Sequence, residues 1–535
     1  MKNLVNKINS RFLLILSGLL LGFTIIFADI GALSYFALIP LAYAIFKRLD
    51  EGEYNVKRAY LDGFIFYISL DIVGFHWFVY FYPLDYVGLS NAEAILIIIL
   101  AWIGLSALQS AFSALVFVAI SQFAKTIVYK KHPILLAPFA ACLFAINEWT
   151  QTLTWAGIPW TRIAISQTEM PIMMQSASLF GSYFLTFIVV AFNFLFAFAI
   201  FKTDLRELAA ISALVILLGN IVVGAVLYFI PQVDKEREIR VASVQPNIDW
   251  KSIYALIDAA DVYDDLTRRA AFDGAEMVIW PEGAFPVDIN DHVKSSKYES
   301  YVAIKDFVTD LAKELGITIV LGSFVDGENA SHNSMSVFYP DGETVIGAYN
   351  KMRPVPFGEY VPMKKLIYSL MPTLAEINLF GYQVNVGESS TVFSSKNDEN
   401  ALKVGTLICF DAIYDKIGIE SARAGAEMFI IPSNDQWFYD SRALNMHHSQ
   451  NVLRAVEQGK YTVNCANSGI SSIINNKGEV VADMPIYKEG YVIDTVYASN
   501  GRTLYSCIGN LFVYLCIAVV IAPFMLDIYY KRKNK

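Results

Sequence analysis

Charge is scarce in this 535-residue chain: only 17% of its residues are charged, whereas 55% are hydrophobic, and the mean hydropathy is +0.43. Soluble domains rarely have such a composition, which is typical of a protein embedded in a membrane. The net charge of −9 also lacks the basic excess that nucleic-acid binding requires. We therefore expect a membrane protein with no nucleic-acid partner.

Cysteine and histidine are sparse as well, with five cysteines and six histidines in the whole chain. No two cysteines form a CxxC pair, and no Cys/His cluster has the spacing of metal ligands. His447 and His448 are adjacent on a predicted helix, so their side chains point to different faces, and the sequence shows no third ligand. These absences argue against a disulfide framework and a zinc site, and we expect neither a metal nor a cofactor.

Long apolar runs fill the first 230 residues and return near the end of the chain. A helix needs roughly 17–25 apolar residues to cross a bilayer. Eight stretches approach or exceed this length, although the second and fifth are short or interrupted: 12–28, 31–46, 59–82, 94–124, 134–150, 177–201, 208–230 and 506–529. The sequence thus predicts a polytopic α-helical bundle of about eight spans.

Basic residues occur in every second loop between these spans. They cluster at the N-terminus, at 47–58, 125–131 and 202–206, and in the tail 531–535. The intervening loops contain a single basic residue, Arg162. Because basic loops stay in the cytoplasm, both termini are expected there and the polar segment outside it. We therefore divide the chain into residues 1–231 with spans one to seven, an extracytoplasmic domain at 232–505, and residues 506–535 with the last span and a cytoplasmic tail.

Short apolar runs alternate with amphipathic stretches in the polar segment. The alternation predicts an α/β layered domain with a buried sheet. Strands are predicted at 237–248, 275–283, 317–325, 333–340, 343–350, 402–410, 426–435, 461–469 and 471–480, and helices at 258–272, 301–315 and 440–458.

Three of these strands lead into residues that can carry chemistry. WPEG contains Glu282, YNK contains Lys351, and ICFD contains Cys409. A thiol needs a base or a nearby cation to act as a nucleophile, a glutamate can take and return its proton, and a lysine can stabilise an oxyanion. Taken singly, each has a structural explanation: a turn or ion-pair residue, a solvated lysine, and a core cysteine. Together they describe acyl transfer through a thioester.

These motifs, with PFGEYVP at 356–362 and SNDQWF at 433–438, resemble the bacterial apolipoprotein N-acyltransferases, the membrane-embedded branch of the nitrilase superfamily. The resemblance implies an αββα sandwich on a transmembrane bundle in the bacterial inner membrane. It also implies transfer of an acyl chain from a phospholipid, typically phosphatidylethanolamine, to the α-amino group of a lipoprotein's diacylglyceryl-cysteine. Glu282 would be the base, Lys351 the oxyanion stabiliser and Cys409 the nucleophile.

Further positions match the family's pattern less directly. Glu359 and Tyr360 lie in PFGEYVP, and Glu359 matches a supporting acid near the site. Phe410 and Asp411 stand where the family often has Tyr-Glu, which removes a hydroxyl and shortens the acid by one methylene. Aromatic positions around the site correspond to Trp250, Trp437 and Phe438.

Two other functions are compatible with parts of the sequence. A membrane-tethered amidase or nitrile hydrolase would use the same three residues with water as the second nucleophile, although it has little use for eight spans. A non-catalytic partner of another membrane enzyme would not need an intact Glu–Lys–Cys set. The apolar stretch 361–384, interrupted by Pro372, is expected to be a loop that lies against the bilayer and guards the acyl entrance, with packing in the core as the alternative.

Overall fold

We describe the protein from a computed structural model, in residues 9–52, 54–84, 88–249, 255–297, 301–327, 330–365, 369, 384–499 and 501–533. The predicted supporting residue Trp250 and most of the stretch 361–384 lie outside these ranges. The chain forms two compact units. The helical unit comprises Met1–Tyr82, Ile95–Ile230 and Ile508–Lys535, and the sheet unit comprises Pro83–Ala94 and Pro231–Cys507.

Apolar helices build the helical unit, because their backbone groups can all be hydrogen-bonded within one segment in the absence of water. The helices of nine residues or more in the described part of this unit are α1 Ser10–Ile26, α2 Ile39–Asp50, α3 Val56–Gly74, α4 Asn91–Ser113, α5 Leu115–Phe123, α6 Leu136–Thr150, α7 Ser182–Phe201 and α8 Arg206–Phe229, and later in the chain Leu511–Lys533. The first turn of α4 belongs to the sheet unit.

Six helical segments in the described part of the chain are long and apolar enough to cross a membrane: Ala28–Asp50, Asn91–Phe123, Pro133–Thr150, Ser182–Phe201, Thr203–Phe229 and Leu511–Lys533. The first predicted span is the shorter apolar helix α1, and the third is the 19-residue helix α3, which contains Lys57, Arg58, Asp62 and Asp71. The observed helices therefore agree roughly with the predicted count of eight spans.

Polar residues inside this unit are hydrogen-bonded to neighbouring segments. Arg48 Nε donates to Asp62 Oδ2 over 2.9 Å, and Glu148 accepts from the backbone N–H of Ile163 at 2.8 Å and from Thr186 Oγ1 at 2.7 Å. Glu148 thus connects α6 to α7 and to the segment that precedes it. Such bonding is what a polar group in an apolar environment requires.

Two β-sheets form the centre of the sheet unit. The strands of this unit are β1 Val233–Gln245, β2 Met277–Ile279, β3 Phe285–Asp288, β4 His292–Val293, β5 Val302–Ala303, β6 Thr318–Val325, β7 Ser331–Phe338, β8 Thr344–Asn350, β9 Val384–Asn385, β10 Val392–Ser394, β11 Lys403–Thr406, β12 Met428–Ser433, β13 Thr462–Ala466, β14 Ser472–Ile474, β15 Val480–Asp483 and β16 Gly490–Ser499. In the first sheet the order is β16–β1–β2–β6–β7–β8, with β3 beside β6 and β9 beside β7, and in the second it is β10–β11–β12–β13–β14–β15.

Apolar side chains pack between the two sheets and on their outer faces. Val241, Ile279 and Val337 of the first sheet share one buried cluster with Ile430 and Val463 of the second. A second cluster joins the other face of the first sheet to helices α9 Ala255–Phe272 and α10 Ile304–Leu315. Helices α11 Asp415–Arg423 and α12 Ala443–Gln458 contact the second sheet at β11 and β13. This confirms the αββα sandwich, and burial on both faces explains why its central strands are almost continuously apolar.

Two predicted strands differ from the observed structure. The strand expected at 402–410 ends at Thr406, because the Asp411 carboxylate accepts the backbone N–H of Ile408 at 3.2 Å and the chain turns at Cys409–Ile413. The strand expected at 471–480 is divided into β14 and β15 by a turn in which Gly478 has φ of 83°. Strand β16, which pairs with β1, was not predicted at all.

Candidate active site

Glu282 and Lys351 meet in the interior of the sheet unit. Glu282 comes three residues after β2, and Lys351 comes directly after β8. Lys351 Nζ lies 2.7 Å from Glu282 Oε1, and only 1% of Lys351 and 7% of Glu282 are exposed. A charge-assisted contact between groups so strongly buried fixes both side chains in position.

A second carboxylate and an amide complete this charge cluster. Lys351 Nζ is 2.9 Å from Glu359 Oε2, so the lysine is shared by two glutamates. Asn333 Nδ2 donates to Glu282 at 2.8 Å and to Glu359 at 2.9 Å, and the backbone N–H of Val355 donates to Glu359 at 2.7 Å. Glu359 was predicted as a supporting acid. Asn333 was missed, since it stands at the start of the predicted strand 333–340 and nothing distinguished it from an ordinary strand residue.

Cys409 is the third predicted member, and it lies within electrostatic range of both Glu282 and Lys351. Its side chain is partly exposed, unlike the fully buried Cys465. Its backbone has φ of +49°, the left-handed region that residues with a side chain rarely adopt. The structure therefore brings Glu282, Lys351 and Cys409 together. Cys409 lies on the turn that follows β11 rather than on the strand itself.

The ionisation of the cluster follows from burial and from neighbouring charge. Burial by itself would lower the pKa of Lys351, but the carboxylates of Glu282 and Glu359 outweigh it and hold the pKa well above its usual range. Burial raises the pKa of the Cys409 thiol, and the charge of Glu282 raises it further against the opposing effect of Lys351. At neutral pH the lysine is therefore a cation and the cysteine a neutral thiol, which needs a base in order to attack.

Asp411 connects the lysine segment to the cysteine turn. Its carboxylate accepts from Tyr349 Oη at 2.7 Å and from the backbone N–H of Arg353 at 2.7 Å, in addition to the N–H of Ile408. Burial raises the pKa of Asp411 to about 6, although Lys351 and the hydrogen bonds from Tyr349 and the backbone oppose this shift. The shortened acid thus has a role in joining two loops. Phe410 beside it is buried, and its ring packs edge-on against that of Tyr414.

The loop that follows β12 reaches the same site. The backbone N–H of Asn434 donates to Glu282 Oε2 at 3.0 Å, and Asp435 Oδ1 lies 2.9 Å from His447 Nδ1. His447 Nε2 in turn lies 3.2 Å from the carbonyl oxygen of Cys409. His447 was considered only as a metal ligand, and Asp435 only as part of SNDQWF. Their pairing across twelve residues was therefore missed.

The aromatic residues predicted around the site occupy different surroundings. Trp437 is 45% exposed, whereas the ring of Phe438 lies 6.4 Å from that of His447. Tyr360 is partly buried, and its carbonyl oxygen accepts from the backbone N–H of Phe357 at 2.7 Å.

Cys409, Asp435 and His447 are the described residues that come near enough to share a metal ion, with their ligating atoms within 4.8 Å of one another. Both ring nitrogens of His447 are already engaged, by Asp435 and by the carbonyl of Cys409. We therefore assign no step to a metal.

Comparisons with known proteins agree with this architecture. Residues 240–504 match the family model described as carbon-nitrogen hydrolase, and residues 17–195 match that of the apolipoprotein N-acyltransferase N-terminal domain. The apolipoprotein N-acyltransferase of Geobacter metallireducens is 30% identical over 69% of this chain and 70% of its own length. That of Thermotoga maritima is 25% identical over 96% of this chain and 92% of its own.

Among solved structures, an amidase from Nesterenkonia sp. overlaps 53% of this chain and 97% of its own, at 16% identity and a TM-score of 0.36. The two family matches and the Geobacter relative decide the assignment. The chain belongs to the apolipoprotein N-acyltransferases of the nitrilase superfamily.

Proposed function

We propose that this protein transfers an acyl chain from a phospholipid to the α-amino group of the diacylglyceryl-cysteine at the start of a lipoprotein, through a thioester on Cys409. The observation that carries the mechanism is the buried Glu282–Lys351 pair beside a neutral thiol. Phosphatidylethanolamine is the proposed donor, and the bacterial inner membrane is the proposed location.

In the first half-reaction, Glu282 takes the proton of Cys409 as Sγ attacks the ester carbonyl carbon of the phospholipid. The Lys351 ammonium, which Glu282 and Glu359 hold in place, turns an N–H toward the oxyanion that forms on the carbonyl oxygen. Collapse of the intermediate breaks the C–O bond. Glu282 returns the proton to the departing alcohol, which leaves a lysophospholipid and the thioester.

In the second half-reaction, the lipoprotein's α-amine attacks the thioester carbon. Glu282 removes a proton from the nitrogen, and Sγ leaves and recovers a proton, so the enzyme returns to its starting state. Glu359 holds the charge of Lys351 in place by direct contact, and Asn333 holds Glu282 by donating to it and to Glu359.

The proposed topology puts both termini in the cytoplasm and residues 232–505, with the site, outside it. The alternation of basic loops supports this orientation, because basic segments remain on the cytoplasmic side.

Incubation of the purified full-length protein with phospholipid carrying a labelled acyl chain tests the proposal. We expect a hydroxylamine-sensitive adduct on the wild type and none on Cys409→Ser. Cys465→Ser is the matched control, because Cys465 is fully buried with its thiol 3.2 Å from the carbonyl of Ile279, and it should label like the wild type. Equal labelling of Cys409→Ser would refute the mechanism.

The acceptor distinguishes this function from the hydrolase alternative. Without lipoprotein, the thioester should persist, and addition of a diacylglyceryl-cysteine peptide should discharge it to the N-acyl product. Release of free fatty acid at the same rate with and without the peptide would instead identify an amidase-like hydrolase.

A further inference from the structure

A polar cleft of about 390 Å³ lies in the sheet unit, away from the residues of the catalytic cluster. It is formed by the start of β1, the end of α11 with the turn that follows, the residue after the α12 cap, and the segment after β16. Its lining includes Asp234, Arg237, Glu427, Lys460, Gly501 and Arg502.

Lys460 has an unusual environment in this cleft. It is 1% exposed, and its ammonium makes one long hydrogen bond, 3.4 Å to the carbonyl of Gly501. No carboxylate of the described residues lies within 4.0 Å of it. Burial lowers the pKa of Lys460 to about 8, with Glu427 opposing and Arg502 adding to the shift. A buried ammonium without a counter-charge is costly, so an anion bound here would be strongly favoured.

The other charges leave room for such an anion. Arg237 is neutralised by Glu427, whose Oε2 lies 2.9 Å from Arg237 Nη2. Arg502 donates to the carbonyl of Arg423 at 2.8 Å but is otherwise exposed. Asp234 is the remaining carboxylate. Lys460 and Arg502 therefore exceed the unpaired negative charge of the cleft by one.

Chain connectivity indicates where the anion comes from. Asp234 follows the end of α8 at Phe229 by five residues, and Arg502 precedes the helix Leu511–Lys533 by nine. Both helices are long and apolar enough to cross a membrane. The cleft is thus lined by the two segments that connect the sheet unit to membrane-spanning helices. Phosphate is the anion that a lipid surface presents, and it suits a lysine point charge combined with an arginine fork.

We propose that this cleft binds a phosphate group, supplied by the headgroup of an anionic phospholipid, at a site separate from the one that holds the acyl donor. The proposal does not rest on the thioester mechanism, because none of its residues belongs to the catalytic cluster.

Lys460→Met in the full-length, delipidated protein tests this site. Methionine keeps an apolar stem but removes the charge, so the variant should be at least as stable as the wild type in the absence of anion. The matched control is Lys416→Met on α11, whose side chain is 69% exposed and pairs with Glu420. Binding of phosphatidylglycerol is measured by native mass spectrometry against diacylglycerol, which lacks the phosphate.

We expect phosphatidylglycerol adducts at least about tenfold weaker in Lys460→Met than in the wild type and Lys416→Met, with diacylglycerol unaffected. A parallel arm measures the rise in Tm with inorganic phosphate against chloride at constant ionic strength. If phosphate stabilises only proteins that retain Lys460 while lipid binding is unchanged, the phosphate site is upheld and the lipid source is wrong. If neither lipid nor phosphate distinguishes the variants, the proposal is overturned.

A second, independent observation concerns the backbone of Cys409. Its left-handed conformation is unfavourable for a residue with a side chain and needs support from its surroundings. The carbonyl of Cys409 can only accept a hydrogen bond, so His447 Nε2 donates to it, while His447 Nδ1 lies 2.9 Å from the Asp435 carboxyl group. His447 is 2% and Asp435 3% exposed, and Ser433 Oγ donates to the other Asp435 oxygen at 3.1 Å.

The geometry points to Asp435 and His447 as a positioning pair that holds Cys409 in the attacking conformation, an inference that rests on the proposed function. The same loop holds the proposed base through the N–H of Asn434. His447→Gln and Asp435→Asn should lower the single-turnover rate of acyl-enzyme formation by roughly 10–100-fold, with little change in KM for the phospholipid. Asp435→Glu should recover part of the rate.

His448→Gln is the matched control, because His448 is adjacent on α12 but hydrogen-bonds to Ser472 instead. Alkylation of Cys409 by iodoacetamide gives a readout that needs no acyl donor, so it separates this inference from the thioester proposal. Wild-type alkylation and turnover in His447→Gln, or an equal loss in His448→Gln, would contradict the positioning role.

Discussion

Replacing Lys351 with methionine removes the only cation from the buried charge cluster of the described site. Lys351 Nζ lies 2.7 Å from Glu282 and 2.9 Å from Glu359. Methionine fills most of the space but leaves two buried carboxylates, bridged by Asn333, without their cation. The variant therefore measures how strongly the protein depends on this charge for folding and for reaction.

The expected cost is large. Removing one partner of a buried ion pair typically destabilises a protein by about 3–5 kcal/mol, because the remaining charge is uncompensated. With about 2.1 cal/mol/K of unfolding entropy per residue, a loss of about 1 kcal/mol lowers the Tm of a unit of roughly 290 residues by about 1.5–2 °C, so the sheet unit should lose roughly 5–10 °C. Loss of the proposed oxyanion donor should also slow acyl-enzyme formation by about 10²-fold or more.

A charge-matched double variant identifies the cause. Lys351→Met combined with Glu359→Gln has one buried carboxylate fewer, so it should recover roughly half of the lost Tm while remaining inactive. Thermal unfolding in detergent and single-turnover acylation provide the two readouts. A Tm within about 2 °C of wild type for Lys351→Met, or no recovery in the double variant, would refute this reasoning.

Three further outcomes are expected. A phosphatase reporter fused near residue 390 should be active and one fused after Lys535 inactive, and the reverse result would overturn the proposed orientation. Because burial holds the pKa of Cys409 above its usual range, its alkylation by iodoacetamide should be slow at neutral pH and become faster only when the pH exceeds the pKa of an ordinary thiol. An alkylation rate that does not change above pH 6 would indicate a preformed thiolate and contradict this expectation. Tyr349→Phe removes a hydrogen bond to the Asp411 carboxylate and should cost about 1–3 kcal/mol of stability, measured as a lower Tm, whereas Tyr360→Phe should cost less than about 0.5 kcal/mol.

Most of the central strands and the three central residues of the candidate site could be predicted because their signals are local. Apolar runs mark strands buried on both faces, and WPEG, YNK and ICFD each follow such a run. Glu359 was accessible for the same reason, since it lies eight residues after Lys351 in a distinctive motif. A local sequence pattern is sufficient to predict a site residue when that residue directly follows the strand that positions it.

Asn333, Asp435 and His447 were not recognised because their roles depend on distant partners. Asn333 meets Glu282 across 51 positions, and His447 meets Cys409 across 38. A single sequence contains no information on such contacts until the sheets are assembled. The strand predicted through Cys409 was wrong for a related reason, since the side chain of Asp411 captures the N–H of Ile408 and turns the chain early.

The pairing of β1 with β16 has a consequence for how the protein is made. These strands are matched from Glu238–Tyr497 to Gln245–Gly490, so the first strand of the sheet unit finds its neighbour about 250 residues later. Closing so long a loop is entropically costly, and it must wait until the ribosome has synthesised nearly the whole chain. Until then, one side of β1 is an open edge that invites wrong partners. The first sheet therefore gains its edge strand β16 late, and truncation before Gly490 would leave all the proposed catalytic residues on a sheet whose β1 edge is exposed.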